Sequence, residues 1–403
     1  MANNRKHRDI GIETLAVHGG EFVDPETRAS SPNLVMSSTF APREVAGFSA
    51  RDEKDYDGFI YARVSSPTVR QLEDKVAALE GGEACLAFAS GMAAAHALIC
   101  GRLSRGDHLL VADTNYVGVA ELVRDTLPRF GIEVSLVDVS RPDEVKAAIR
   151  PTTRMLWLET PANPIMRLCD IQLLAQIAHA AGVRDVAVDS TFATPLATRP
   201  LDLGADFVVH SLTKYIGGHG DAMGGAVIGR KSDLAALNLE STVHFGGVLS
   251  PFNAWLILRG AATLPIRMKA HEQAALQVAQ HLERHPAVAQ VFYPGLPSHP
   301  QHDLAKRQMK NFSGMMTFQT KEPGLHVARR MVEKLQFVHY AVSLGHHRSL
   351  VYWISTDDIE ASTFKHDPEA ARRYRAFAGD GIFRLSVGIE TAADICADLD
   401  QVF

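Results

Sequence analysis

The sequence predicts an α/β fold, with a large, mostly parallel seven-stranded sheet covered by helices and a smaller C-terminal α+β domain. Three observations carry this. Seven short apolar runs, ACLAFA, HLLVAD, IEVSLVD, RMLWLET, VAVDST, DFVVHS and GGAVIG, lie between residues 84 and 229. The first five are separated by segments of helical spacing such as DIQLLAQIAHAAG, and apolar strands that alternate with helices imply a parallel sheet buried on both faces. Beyond about residue 264 the pattern changes: RMKAHEQAALQVAQHLERH reads as a long helix, followed by VAQVFYPG, SGMMTFQT, LHVARRMVEKL, HYAVSL, IFRLSVGIE and TAADICADLDQVF.

In chain order, residues 1–64 show no sustained periodicity, and DPETRASSPNLVMSSTF reads as an extended arm. SSPTVRQLEDKVAALEGG is the first helix. Ser66 suits its cap and Pro67 its first turn, Val69, Leu72, Val76 and Leu79 recur at three and four, and Gly81 and Gly82 end it. The expected division is therefore an arm over 1–64, a large domain over 65–264 and a small domain over 265–403.

Composition bounds the function. The 403 residues are 46% hydrophobic and 22% charged, with 41 basic against 46 acidic side chains, as in a globular protein. No basic stretch alternates with aromatic residues, which disfavours nucleic acid as a partner. The N-terminal MANNRKHRDIGIETLAVHGG has no apolar h-region, and no apolar run is long enough to span a bilayer, so a cytoplasmic location without membrane contact is expected. Cys85, Cys100, Cys169 and Cys396 lack the spacing of a disulfide framework or a zinc site, and no metal is expected.

The chemistry centres on SLTKYIGGHGDAMGG. DFVVHS feeds directly into Lys214, which places its amine at the carboxyl end of a strand, where ligands of open α/β sheets bind. Neither a Walker loop nor a dinucleotide fingerprint fits the surrounding glycines. A lysine so placed can form a Schiff base with a carbonyl, the bond that pyridoxal 5′-phosphate exploits. That cofactor needs an acid at its ring nitrogen, and VAVDST ends in Asp189, a residue that could equally be a helix cap. It needs a phosphate cradle, and Ser90, Gly91 and Met92 stand between a strand and a helix, with Ser211 and Thr213 flanking Lys214. Tyr116 follows another strand and could stack on the ring or sit half-buried in a loop. Arg384, in a strand of the small domain, suits an amino-acid carboxylate or a structural salt bridge.

With these residues in place the chain resembles the Cys/Met-metabolism family of pyridoxal-phosphate enzymes, which includes methionine γ-lyases, cystathionine β- and γ-lyases and cystathionine γ-synthases. YARVSSPTVRQLEDKVAALEGG, SGMAA, ETPANP, VDSTFATP, RPLDLGADFVVHSLTKYIGGHGDAMGG, YPGLPSHPQH and RLSVGIE stand in family order across nearly the whole chain. The resemblance implies the type I, aspartate-aminotransferase-like fold of pyridoxal-phosphate enzymes. It further implies that Lys214 carries the cofactor as an internal aldimine, with Asp189 on the pyridine nitrogen and Tyr116 over the ring. Gly91, Met92, Ser211 and Thr213 would hold the phosphate, joined by Tyr61 and Arg63 from a neighbouring subunit. Asn163 would lie near the phenolic oxygen, and Arg384 with Ser343 would take the substrate carboxylate. The arm would pack across subunits of a homotetramer, a dimer of dimers.

The departures concern the substrate side. Ser190 stands where the family usually has Asn, and SLGHHRSLVYWIST places His346, His347, Arg348, Tyr352 and Trp353 at positions that are usually small or acidic. These groups are expected to shape the pocket or simply to pack. Val342, where cystathionine γ-lyases tend to carry an acid, resembles methionine γ-lyases. The expected activity is γ-elimination on a heteroatom-substituted amino acid, methionine-, homocysteine-, cystathionine- or canavanine-like. γ-Replacement on an activated homoserine and cystathionine β-elimination are the alternatives.

Overall fold

The computed structural model describes residues 10–21, 23–45, 47 and 58–403. The expected arm lies partly outside these residues. All seven apolar runs of the large sheet are strands: β1 (Ala84–Phe88), β2 (His108–Ala112), β3 (Glu133–Val137), β4 (Thr153–Glu159), β5 (Asp185–Asp189), β6 (Phe207–Ser211) and β7 (Gly225–Gly229). Every residue of β2 and of β7 is buried, which is why these strands read as unbroken apolar runs.

The chain divides into two compact units, residues 1–104 with 199–265 and residues 105–198 with 266–403. Of the seven strands, the first unit carries β1-β7-β6 and the second β5-β4-β2-β3. In the second unit β2 pairs in parallel with both β3 and β4, and β4 with β5. In the first, β7 runs antiparallel to both β1 and β6. Residues 212–224, between β6 and β7, carry no helix, and the chain returns antiparallel to β6.

Helix α1 (Ile12–His18) lies within the segment expected to be extended. Seven residues hold no helix by themselves, and tertiary contacts make up the difference. The fully buried Lys75 ammonium donates to the carbonyls of Ala16 and Val17 at 2.6 and 3.1 Å and pairs with Glu21 at 2.7 Å. Lys75 lies on α2 (Pro67–Glu80), the helix expected from the sequence. Its boundaries hold, with Pro67 in the first turn and Gly81 left-handed at φ 72°, accepted by the carbonyls of Ala77 and Ala78. Ser66 occupies the cap position, yet its hydroxyl caps nothing. Farther along the arm, Thr68 Oγ1 donates to Asn33 O, and Trp255 Nε1 donates to Pro32 O.

The second unit also carries a five-stranded sheet of order β10-β11-β12-β9-β8. Its strands are β8 (Val288–Phe292), β9 (Met315–Thr320), β10 (His339–Tyr340), β11 (Leu350–Ser355) and β12 (Gly381–Ser386). Phe318 and Phe383 stack at 5.0 Å in its core, with Val351, Leu385 and Ile395 around them. β11 was not among the expected strands. It pairs antiparallel with β12 so that Tyr352 opposes Arg384 and Trp353 opposes Phe383.

Candidate active site

In the first unit β6 ends at Ser211, and the turn that follows is tightly bonded. Gly218 N–H donates to Lys214 O at 2.7 Å, and Lys214 N–H to Ser211 O at 3.2 Å. Thr213 Oγ1 accepts from Gly224 N–H at 3.1 Å and donates to Gly224 O at 3.2 Å, tying the two ends of the β6–β7 connection together beside Lys214. Helix α3 (Gly91–Arg102) opens next to this turn with Ser90 as its cap, whose hydroxyl accepts Ala93 N–H at 3.1 Å. The amides of Gly91 and Met92 open the helix, where the backbone has no intrahelical acceptor and the dipole favours an anion.

The two segments approach closely. A Cβ on Gly91 would meet Ser211 Cβ at 2.9 Å and its hydroxyl at 3.1 Å, and one on Gly225 would meet Ser90 O at 2.1 Å. The α3 terminus thus lies directly against the Ser211–Lys214 turn, which brings Ser90, Gly91, Met92, Ser211, Thr213 and Lys214 into one group. The amides of Gly91 and Met92 at a helix start, with the hydroxyls of Ser90, Ser211 and Thr213 around them, are groups of the kind that hold a phosphate monoester. Tyr61 is 44% exposed, with the Arg63 guanidinium 5.5 Å from its ring centre. Arg63 donates to Val243 O at 2.6 Å.

In the second unit the groups stand at the carboxyl ends of parallel strands. Tyr116 follows β2 and precedes helix α4 (Val117–Glu121), and the residue is 44% exposed. Glu159 ends β4 and Asp189 ends β5, as register partners. Asp189 Oδ1 accepts Thr191 N–H at 3.0 Å, so it serves the local turn in addition to facing Glu159. Glu159 is 5% exposed, and its two carboxyl oxygens accept Tyr116 N–H at 2.7 Å and Asn163 N–H at 2.8 Å. Burial, then the Asp189 charge, push the Glu159 carboxyl well above the usual carboxylate range.

The carboxylate-binding candidates lie in the same unit. Arg384 donates to Asn163 Oδ1 at 2.9 Å and to Ser343 O at 3.2 Å. Ser343 sits at φ 87°, a conformation seldom taken by residues other than glycine, and such outliers gather at ligand clamps. Its hydroxyl lies 3.2 Å from His346 Nε2. The His346–His347 loop is pinned by Gly345 N–H to Ser386 Oγ and by Ile389 N–H to His347 O. Val342 is 64% exposed, whereas Tyr352 packs on Tyr340 at 5.3 Å and Trp353 lies against the sheet core. Of the unusual residues, Tyr352 and Trp353 are therefore packing groups of β11, and His346 is bonded to Ser343, a candidate substrate residue. Glu159 was missed by sequence reasoning, although ETPANP contains it.

Known proteins match this chain over nearly its whole length. A canavanine gamma-lyase from Pseudomonas canavaninivorans is 42% identical, covering 98% of this chain and 97% of its own. An L-methionine gamma-lyase from Treponema denticola is 39% identical over 99% and 98%, and an O-succinylhomoserine sulfhydrylase from Pseudomonas aeruginosa 41% identical over 96% and 94%. Among solved structures, cystathionine gamma-lyase from Lactobacillus plantarum complexed with L-serine superposes with a TM-score of 0.88 at 36% identity, covering 98% of each chain. The model for the Cys/Met metabolism PLP-dependent enzymes spans residues 13–403, and the chain belongs to that family of pyridoxal-phosphate enzymes.

Proposed function

We propose that this enzyme removes the γ-substituent of a heteroatom-substituted L-amino acid, with Lys214 as the cofactor-bearing residue and base. Substrate and one water give a 2-oxo acid, ammonia and the protonated leaving group. The observation that carries the reading is Lys214 at the end of β6, beside a phosphate-shaped group made of Ser90, Gly91, Met92, Ser211 and Thr213. When bound, pyridoxal phosphate supplies an electron sink conjugated to the substrate Cα.

The residues divide the remaining work. Asp189 provides a carboxylate for the ring nitrogen, and Tyr116 a ring to lie over the pyridine and a phenol to protonate the departing heteroatom. Lys214 would take the α proton of the bound substrate. Arg384, braced by Asn163 and Ser343, receives the substrate carboxylate in a bidentate fork. Val342 and His346 then flank the substrate side chain, and a polar or basic γ-substituent suits the histidine.

In this reading residues 65–264 form the cofactor domain, 265–403 the small domain and 1–64 an arm that packs on a neighbouring subunit. Leu34, Met36 and Val45 on that arm are exposed apolar residues, as such packing needs. Tyr61 and Arg63 would reach the phosphate of the neighbouring subunit within a homotetramer in the cytoplasm, where Cys85, Cys100, Cys169 and Cys396 remain thiols. γ-Replacement is the second reading, favoured by the similarity to a sulfhydrylase. A panel of methionine, homocysteine, cystathionine, canavanine and O-succinylhomoserine, read as 2-oxo acid and ammonia with and without cysteine or sulfide, tests both. Oxo-acid release without a thiol supports elimination, and release of neither product from any substrate overturns the reading.

A further inference from the structure

Glu159 joins two segments that the proposed mechanism uses separately. One oxygen of its carboxyl accepts the Tyr116 amide and the other the Asn163 amide, at 2.7 and 2.8 Å. Asn163 passes the restraint on, because its Oδ1 holds Arg384 at 2.9 Å. A buried side chain that must accept from two diverging N–H groups needs two acceptor oxygens. A glutamine in the same place offers one, and turns an NH2 group toward the other amide.

We propose that Glu159 is a positioning residue, which through its two carboxyl oxygens sets the Tyr116 main chain and the Asn163–Arg384 pair relative to each other. This rests on the assignment of Tyr116 and Arg384 to the active site. A loop staple without catalytic consequence would hold the same two amides, so the test reads what a staple does not move. Displacing a catalytic group by a fraction of an ångström costs rate rather than folding, by up to about a hundredfold for 1 Å.

The experiment is a double-mutant cycle on the holoenzyme with Glu159→Gln and Tyr116→Phe, followed by kcat on a turned-over amino acid and by visible circular dichroism of the bound cofactor. Glu159→Gln is expected to lower kcat about tenfold or more and to change the dichroism. In the Tyr116→Phe background the part of its effect that runs through the phenol is gone, so its further effect on kcat should shrink, while the part that runs through the Asn163–Arg384 pair persists as a raised KM. An equal loss in both backgrounds, or an unchanged kcat and dichroism, overturns the proposal. Should Glu159→Gln not fold, Glu159→Asp keeps both oxygens, withdraws them by about 1.5 Å, and enters the same cycle. A wild type that turns over no amino acid sinks the proposed function, while the dichroism still decides the positioning role.

Discussion

Replacing Arg384 by lysine separates charge from geometry at the proposed carboxylate site. The guanidinium is held from two sides, by Asn163 Oδ1 at 2.9 Å and Ser343 O at 3.2 Å, so its plane is fixed before substrate arrives. A lysine keeps the positive charge but presents a point donor on a flexible stem, and cannot be braced in this way. Losing one charge-assisted hydrogen bond to the carboxylate costs about 1.5–3 kcal/mol. At about 1.4 kcal/mol per factor of ten, KM should rise roughly ten- to hundredfold. Because the carboxylate is bound alike before and during reaction, kcat should fall much less. Steady-state oxo-acid formation measures both constants, and the cofactor absorption of the variant checks that the holoenzyme has formed. An unchanged KM in Arg384→Lys would refute the assignment, as would a kcat loss larger than the KM gain.

Two further outcomes concern stability. Burial depresses His271 to a pKa of about 4 from its ordinary 6.5, and its Nδ1 faces Val387 O at 2.8 Å. A base with a depressed folded pKa gives stability that is fully present above 6.5 and is lost as pH falls toward 4. The shift of 2.5 is worth about 3 kcal/mol, so His271→Gln should remove about that much of the acid destabilisation in denaturant titrations at pH 7 and pH 4, and superimposable pH profiles would contradict it. Lys75→Met strips the carbonyls of Ala16 and Val17 and the Glu21 carboxylate of their buried ammonium, at a cost of about 3 kcal/mol. Amide exchange across residues 12–21 should accelerate, and unchanged protection there would show that α1 does not depend on Lys75.

The strands of the large sheet were legible because most are buried on both faces, which writes them as apolar runs bounded by turns. The strand-end positions of Lys214 and Asp189 were legible for a related reason, since a polar residue at or just after the end of such a run marks where the strand stops. Two elements were hidden. Helix α1 draws its stability from a lysine that lies 57 to 63 residues after it and carries too few turns to show a period. Strand β11 alternates less cleanly, and of the two readings open for Tyr352 and Trp353, pocket or packing, their pairing with Arg384 and Phe383 favours packing. Glu159 shows a deeper limit: its partners are main-chain amides of Tyr116 and Asn163, and no side-chain pattern advertises a backbone contact. The cap at Ser66 fails for the opposite reason, since the right residue occupies the right position while its hydroxyl makes no bond to the helix.

The central claim is that the amine of Lys214 is the point of attachment for the cofactor. Borohydride reduction of the holoenzyme, followed by digestion and mass analysis, tests it directly. The account predicts a single modified peptide, heavier by one reduced pyridoxal phosphate, with the mass on Lys214, and no modified peptide from Lys214→Ala. Modification at another lysine, or the same yield of modified protein from Lys214→Ala, would contradict it.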